Sequence, residues 1–173
     1  MDKLSSFLES EFERAVAARG EAPADENVVP MTESLRAQAT LRERERRFRE
    51  LLDALPAAIY TTDAAGRLTY YNDAAAELWG QRPPLGSSEW CGSWKLFWPD
   101  GTPMRHDECP MAVALKEDRP VRGMEAAAER PDGTRVPFIP YPTPLHDEAG
   151  RLVGAVNMLV DITERKRAEE QQA

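Results

Sequence analysis

The chain has 173 residues, of which 42% are hydrophobic and 30% charged, a balance that predicts one globular domain with some additional helix. Its formal net charge of −8 disfavours binding to nucleic acid, because that function relies on clustered Lys and Arg. No stretch approaches the roughly 18 apolar residues that cross a membrane, and the acidic start differs from a secretory signal. We therefore expect a cytoplasmic protein without a nucleic-acid or membrane partner.

Residues 1–31 predict an amphipathic helix followed by a linker. Hydrophobic residues recur at helical spacing up to Val16, and Gly20 closes the pattern. The segment from Glu21 to Pro30 then contains two prolines and no helical period, which is typical of a linker. The first helix needs a surface on which to lie.

A second helix is predicted over residues 32–55. Leu41, Phe48 and Leu55 recur every seven residues, and Leu52 widens the apolar stripe to the width of a helix-packing face. The helix ends before a proline, because the proline ring disfavours helical conformation in the residue that precedes it.

Between residues 56 and 162 the apolar residues form short runs separated by turns, which predicts strands. Asp63 and Gly66 fit a tight turn between the first two strands, and Asn72 fits the amino-terminal cap of a short helix. We expect the middle of this region, residues 81–108, to be irregular. The predicted elements are strands over 58–62 and 68–71, helices over 73–79 and 110–117, and extended segments near 121–129, 134–141 and 152–161.

Three alternate prolines, Pro140, Pro142 and Pro144, limit how the segment near 134–141 can pair. Alternate residues of a strand direct their amides to the same neighbouring strand, and proline has no amide hydrogen. Pairing on that side must fail beyond about Ile139. We expect the segment to leave the sheet there as an irregular, extended edge.

The order of these elements and three motifs resemble the PAS family. TTDAAGRLTYYNDAAAELWG at 61–80 resembles the opening hairpin and capped helix, ERPDGTRV at 129–136 the fourth turn, and GRLVGAVNMLVDITERKRAEE at 150–170 the last strand and signalling helix. The ending is similar to PAS sensor modules of bacterial sensor histidine kinases. The resemblance implies an α+β fold, in which a five-stranded antiparallel sheet with short flanking helices follows two N-terminal helices and precedes the start of a signalling helix at 163–173.

The DIT sequence at 161–163 joins the last predicted strand to that helix. Thr163 is placed to cap the helix, and Asp161 can reach Arg165 at helical spacing. We expect these three residues to transmit a signal from the sheet to the helix. A purely structural role in closing the domain is the alternative.

The resemblance also implies a role for the helix at 32–55, because in PAS relatives a helix at this position often packs against its twin and the outer sheet face. We expect a parallel homodimer, although Arg44 and Glu45 occupy core-like positions and interrupt the seam. Packing against the protomer's own sheet is the alternative. The expected interface residues are Leu41, Phe48, Leu52 and Leu55.

No nucleotide-binding, metalloprotease or hydrolase motif is present, so we expect no enzymatic activity in the chain. The only cysteines, Cys91 and Cys109, are expected to remain thiols, and with His106 they supply fewer ligands than a zinc site usually has. Some PAS sensors hold haem through a histidine, but His106 lies at or before the predicted helix. The asparagine-cysteine-arginine motif of the flavin-binding relatives is missing.

A small organic ligand is the remaining candidate for the interior. The resemblance implies that Leu159 points inward, and strand alternation then places Asn157 inside as well. A buried amide needs a partner, which is a ligand, a water or another side chain. Apolar residues that would line a pocket, and that equally suit an ordinary core, are Trp94, Phe97, Met111 and Leu115.

Two functions therefore remain open. The first is a sensor module that binds an unidentified ligand or cofactor and acts through its terminal helices on an output such as a histidine kinase. The second is a ligand-free PAS module for dimerisation or protein interaction.

Overall fold

The computed structural model describes residues 31–87 and 90–172, and the helix and linker predicted over residues 1–30 lie outside them. Helix α1 (Met31–Asp53) carries ion pairs one turn apart, such as Arg49 with Glu45 at 2.7 Å. Its residues up to Arg44 belong to one unit of the chain, and a second, compact unit begins at Glu45. Within the described ranges, no helix is both long enough and apolar enough to cross a membrane.

The second unit contains one antiparallel sheet of eight strands in the order β2-β1-β8-β6-β5-β3-β4, with β7 paired to β8. Two short helices and a 3-10 turn (His106–Glu108) connect the strands, and a last helix follows the sheet. The remaining elements are β1 (Ala58–Asp63), β2 (Leu68–Tyr71), α2 (Asp73–Trp79), β3 (Lys95–Phe97), β4 (Pro103–Met104), α3 (Pro110–Glu117), β5 (Ala126–Glu129), β6 (Arg135–Pro140), β7 (Thr143–His146), β8 (Leu152–Asp161) and α4 (Thr163–Gln171).

All five predicted strands are present, and three short strands are added to them. β3 and β4 lie in the region that was expected to be irregular, and β7 lies in the proline-rich segment. Strands of two to four residues contain too few positions for a period of two to be recognised, so the sequence pattern could not indicate them. The mixed α+β fold with an antiparallel sheet is as predicted.

The prolines limit pairing as predicted, but the chain does not become irregular throughout. Tyr141 donates its amide to the Met158 carbonyl, so odd-numbered residues face β8 and the even-numbered prolines face the other side. On that side, pairing with β5 ends at Phe138. Pairing with β8 continues to Pro140 and resumes from Thr143 in β7, which corrects the expectation of an irregular end.

Trp79 lies at the centre of the core and is completely buried. The rings of Tyr60 and Tyr71 pack against the Trp79 ring in edge-to-face geometry, with centroid distances of 5.2 Å and 5.5 Å. A Cβ atom on Gly92 would lie 2.3 Å from the Trp79 ring, so only glycine allows this close approach. The loop around residue 92 is therefore packed directly onto the core.

Side chains stabilise the first hairpin and the start of α2. Asp63 accepts hydrogen bonds from the amides of Ala65 and Arg67 at 3.0 Å and 2.8 Å. Gly66 adopts a φ of 83° in this turn, a conformation that favours glycine. Asn72 caps α2 by accepting a hydrogen bond from the Ala75 amide at 3.0 Å.

Candidate functional site: an inner cavity and a strand–helix junction

The inner face of the sheet and α3 enclose a small cavity. Its volume is about 10 Å³, which is room for about one water molecule. Its walls are mixed: Met111, Phe138 and Leu159 are apolar, whereas Tyr60 and Asn157 supply polar groups. Cys91 and Cys109 also form part of the wall.

Asn157 lies on β8 and is only 2% exposed. Its side-chain oxygen accepts a hydrogen bond from the Tyr141 amide at 2.9 Å, and its nitrogen donates to the Tyr60 hydroxyl at 3.1 Å. Tyr60 in turn donates to the Trp90 carbonyl at 3.1 Å. The buried amide therefore has protein partners, and these connect β1, the loop before β3, and β8.

The junction between β8 and α4 is built around Asp161. One carboxylate oxygen accepts hydrogen bonds from both the amide and the hydroxyl of Thr163, at 2.8 Å and 2.6 Å. The expectation that Thr163 caps the helix is wrong, because its hydroxyl donates to Asp161 and the residue at the cap position, Ile162, makes no side-chain cap hydrogen bond. Asp161 itself holds the first turn.

Arg165 does not pair with Asp161, contrary to the sequence expectation. It reaches Glu125, just before β5, at 2.5 Å, and Lys166 contacts the same carboxylate at 2.8 Å. The two cations lower the pKa of Glu125, with Lys166 first and Arg165 second. Helix α4 is thus attached to the sheet by a charge cluster contributed by residues distant in sequence.

A family model described as the PAS fold matches residues 52–167. The chain belongs to the PAS family. PAS domains are signal-sensing modules. No curated protein matches the chain.

Solved PAS domains share the fold. The PAS domain of an HTR-like protein from Haloarcula marismortui is 20% identical with a TM-score of 0.54, and the match covers 73% of this chain and 98% of that one. A PAS domain from Colwellia psychrerythraea is 23% identical with a TM-score of 0.51, covering 72% and 98%. The PAS domain of the fruit-fly ELK potassium channel is 17% identical with a TM-score of 0.53, covering 71% and 97%.

The PAS cavity has fewer of the predicted wall residues than expected. Met111 and Leu159 line it, and Leu115 is buried in the core without lining the cavity. Trp94 is wrong as a wall residue, because it is 55% exposed. Phe97 is also wrong: it lies on the opposite face of β3 from Leu96, with the Arg135 guanidinium 3.5 Å from its ring centroid.

Several wall residues were not predicted as such, and those that bring polar or thiol groups to the cavity include Tyr60, Cys91 and Cys109. Tyr60 could have been found, because alternation along β1 places Ala58, Tyr60 and Thr62 on one face, and all three are buried. The cysteines were expected to remain thiols and were weighed as metal ligands, not as cavity residues. That both cysteines line one cavity depends on the path of an irregular loop, and no sequence pattern determines that path.

In the wall of the PAS cavity Cys91 interacts with Cys109, and it also interacts with His106. Interaction with Cys109 lowers the pKa of Cys91 well below its ordinary value, and His106 adds to the effect. Cys91 raises the pKa of His106 to about 9, and the pKa of Cys109 is raised by Cys91 and by burial. The directions of these pKa shifts favour ionisation of Cys91 over ionisation of Cys109.

These three residues do not fit a haem. The His106 ring donates from Nε2 to the Ser93 carbonyl at 3.0 Å, since a carbonyl only accepts, and it also interacts with Cys91. The adjacent cavity has room for about one water, far less than a macrocycle needs. Among the residues that the structure describes, no three His, Cys, Asp or Glu side chains are arranged to hold a metal ion.

Proposed function

We propose that the chain is a sensory input module of signal transduction, which senses a small ligand or cofactor at its inner cavity and acts on an output such as a histidine kinase. The observation that supports this is the course of β8. Asn157 and Leu159 contact the cavity, and Asp161, two residues beyond Leu159, holds the first turn of α4. A displacement of β8 at the cavity would move the start of α4 with it.

The cavity walls limit the chemistry of the ligand. A volume of about 10 Å³ admits one water, so anything larger requires the walls to move. Asn157 and Tyr60 offer hydrogen-bonding groups, and Met111 and Phe138 offer apolar contact. The ligand class that suits these walls is a small molecule with an apolar body and one or two polar atoms. A cytoplasmic location accords with two free, buried thiols.

The test of transmission is Asp161→Ala in the chain joined to a kinase output. The substitution removes both hydrogen bonds to Thr163 at the junction and leaves the cavity walls unchanged. Kinase activity should cease to respond to the ligand, whereas ligand affinity should stay at the wild-type value. Native mass spectrometry of the purified chain identifies any small molecule that it retains.

Asp132→Ala is a matched control. Asp132 accepts from the amide and hydroxyl of Thr134 at 2.9 Å and 2.7 Å, the same arrangement in the turn before β6. This variant should keep the kinase response. An unaltered response in Asp161→Ala, or an equal loss in both variants, would contradict transmission through the junction.

The second candidate function is a ligand-free dimerisation module, and the exposed face of α1 favours it. In the second unit Phe48 is 61% exposed and Leu55 44%, so neither is buried against the protomer's own sheet. Leu41, in the first unit, is 67% exposed, and Leu52 is half-buried. PAS domains commonly dimerise or interact with partner domains.

Sedimentation at micromolar concentration tests the dimer. Phe48→Glu with Leu55→Glu should give monomers, because charges in an apolar seam are strongly unfavourable. Leu85→Glu with Leu145→Glu adds the same charge at exposed positions elsewhere and should leave the dimer intact. A monomeric wild type would exclude the dimer. A dimer that retains no small molecule and shows no ligand response would favour the second function over the first.

A further inference from the structure

The loop that carries Cys91 is fixed on both sides of the cysteine. The Trp90 carbonyl accepts from Tyr60 at 3.1 Å, and the Gly92 carbonyl accepts from Gln81 at 2.7 Å. Trp90 adopts a φ of 70°, uncommon for a residue with a side chain, and its amide donates to the Gly66 carbonyl. Cys91 is consequently held facing the cavity, with 6% of its surface exposed.

Cys109 approaches the same cavity from the opposite wall. It occupies the cap position of α3, and Pro110 follows it as the first helical residue. Its side chain makes no capping hydrogen bond. Cys109 is 3% exposed, and it is hidden from bulk solvent but open to a molecule of the size of water in the cavity.

We infer that Cys91 and Cys109 are a reversible thiol pair that a hydroperoxide oxidises to a disulfide, with Cys91 as the attacking thiolate and Cys109 as the resolving thiol. Two observations carry the inference: Cys91 and Cys109 both line one water-sized cavity, and hydrogen bonds fix the loop on both sides of Cys91. The lowered pKa of Cys91 and the raised pKa of Cys109 support the assignment of their roles. Hydrogen peroxide is close to water in size. The inference goes beyond the proposed function and does not rest on its output.

The steps balance as follows. The Cys91 thiolate attacks one peroxide oxygen, the O–O bond breaks, and the hydroxide that leaves takes the proton of His106, giving a sulfenic acid and water. His106 then removes the proton of Cys109, whose thiolate attacks the Cys91 sulfur. The S–O bond breaks, the second hydroxide takes the proton back from His106, and a disulfide, neutral imidazole and a second water remain. The two sulfurs are oxidised and the peroxide is reduced.

Hydrogen peroxide added to the full chain at stoichiometric concentration tests the pair. We expect the intact mass to fall by two hydrogen atoms, both cysteines to resist alkylation after unfolding, and dithiothreitol to reverse both effects. The folded chain should react roughly tenfold faster than the urea-unfolded chain, because the neighbours that lower the pKa of Cys91 are in place only in the folded chain. Thiols that remain open to alkylation, or a folded rate no faster than the unfolded rate, would overturn the inference.

Three variants separate the roles. Cys109→Ser should leave a sulfenic acid on Cys91 that dimedone traps, whereas Cys91→Ser should give no adduct on Cys109. His106→Gln keeps a donor for the Ser93 carbonyl but has no charge, so its oxidation should slow roughly tenfold at pH 7 and recover as pH approaches the ordinary thiol pKa. A disulfide between two chains, a trapped adduct on Cys109, or an unchanged pH profile in His106→Gln would each contradict the assignment. The wild-type measurement needs no substitution, so the inference is tested even where a variant fails to fold.

Discussion

The sheet is joined to its neighbouring helices by two side-chain junctions that differ in burial. The first is Asn72, 1% exposed, which accepts from the amides of Ile59 and Ala75 and donates to the carbonyls of Leu52 and Ala57. These four hydrogen bonds connect the end of α1, the chain before β1, β1 itself and α2.

The second junction is Asp161, which is exposed. Within the part of the chain that the structure describes, its carboxylate accepts hydrogen bonds from Thr163 alone. The attachment of α4 also includes the Ile162 amide, which donates to the Pro137 carbonyl at 3.0 Å, the buried Ile162 side chain, and ion pairs to Glu125 at the surface. Exposed ion pairs contribute about 0–1 kcal/mol and weaken with salt, whereas a buried polar group that loses its partner costs about 1–3 kcal/mol. The first junction fixes the fold, and the second can shift at small cost, which suits an element that transmits a signal.

Asn72→Ala should have the largest effect. It removes a helix cap and leaves two buried amides and two carbonyls without their partner, so we expect a loss of about 3 kcal/mol or more in the free energy of unfolding by urea. Asn72→Ser retains an oxygen for the Ala75 amide but loses the two amide donors. Its free energy of unfolding should lie between those of the wild type and Asn72→Ala. A loss below about 1 kcal/mol in Asn72→Ala would show that the first junction is no stronger than the second.

Tyr60→Phe should have the next largest effect on the free energy of unfolding. It leaves the Trp90 carbonyl and the Asn157 amide without a partner, at a cost of about 1–3 kcal/mol. Burial, followed by Cys91 and Cys109, raises the pKa of Tyr60 well above 10. Because the folded pKa is the higher one, the contribution is complete below pH 10 and is lost as pH rises through the folded value. The variant should therefore lose less stability than the wild type above pH 10.

Tyr71→Phe is the control for that measurement. Its hydroxyl donates to the Pro83 carbonyl at 3.0 Å and has no link to Asn157. It should be less destabilising than Tyr60→Phe and should retain the alkaline loss that Tyr60 causes. Equal alkaline behaviour in the wild type and Tyr60→Phe would contradict the assignment.

Asp161→Ala should be milder than either, with a loss of about 1 kcal/mol, as is usual for a helix cap. Hydrogen exchange should quicken in α4 and remain unchanged in β1. Asp132→Ala should quicken exchange only in the turn between β5 and β6. Faster exchange throughout the sheet in Asp161→Ala would mean that the second junction is as integral to the fold as the first.

Both junctions could be predicted from the sequence only in part. The cap that Asn72 forms with Ala75, three positions away, is a local signal, as is the turn at Asp63, whereas the bonds of Asn72 to Ile59, Ala57 and Leu52 span 13, 15 and 20 positions. Asp161 was recognised, but Arg165 pairs with a residue 40 positions away. No local pattern contains that partner.

The cavity was the least predictable feature. The family resemblance, combined with strand alternation, placed Asn157 inside correctly. Alternation could not assign Phe97 to a face, because the strand that carries it has three residues. Trp94 precedes that strand and points to solvent despite its hydrophobicity. The volume of the cavity depends on how the loop around Cys91 packs on Trp79, which is a property of tertiary structure.

The smallest effect is expected for Glu125→Gln, which removes the charge that Arg165 and Lys166 share. The loss should be less than about 1 kcal/mol, since the pairs are largely exposed. The folded pKa of Glu125 is lowered, so its contribution is present above the ordinary value of 4.5 and is lost as pH falls through the folded value. In the wild type, hydrogen exchange in α4 should quicken with added salt, whereas the variant should exchange quickly at every salt concentration.

Glu129→Gln is the matched control for this last measurement. Glu129 also joins two cations, Lys95 and Arg135, each at 3.0 Å, but it lies in the sheet away from α4. It should leave exchange in α4 at the wild-type rate. If Glu125→Gln leaves the salt dependence of α4 unchanged, the ion pairs do not hold the helix. The hydrogen bonds of Asp161 and that of the Ile162 amide to the Pro137 carbonyl would then be its principal attachments, and the contrast between the two junctions would depend on them.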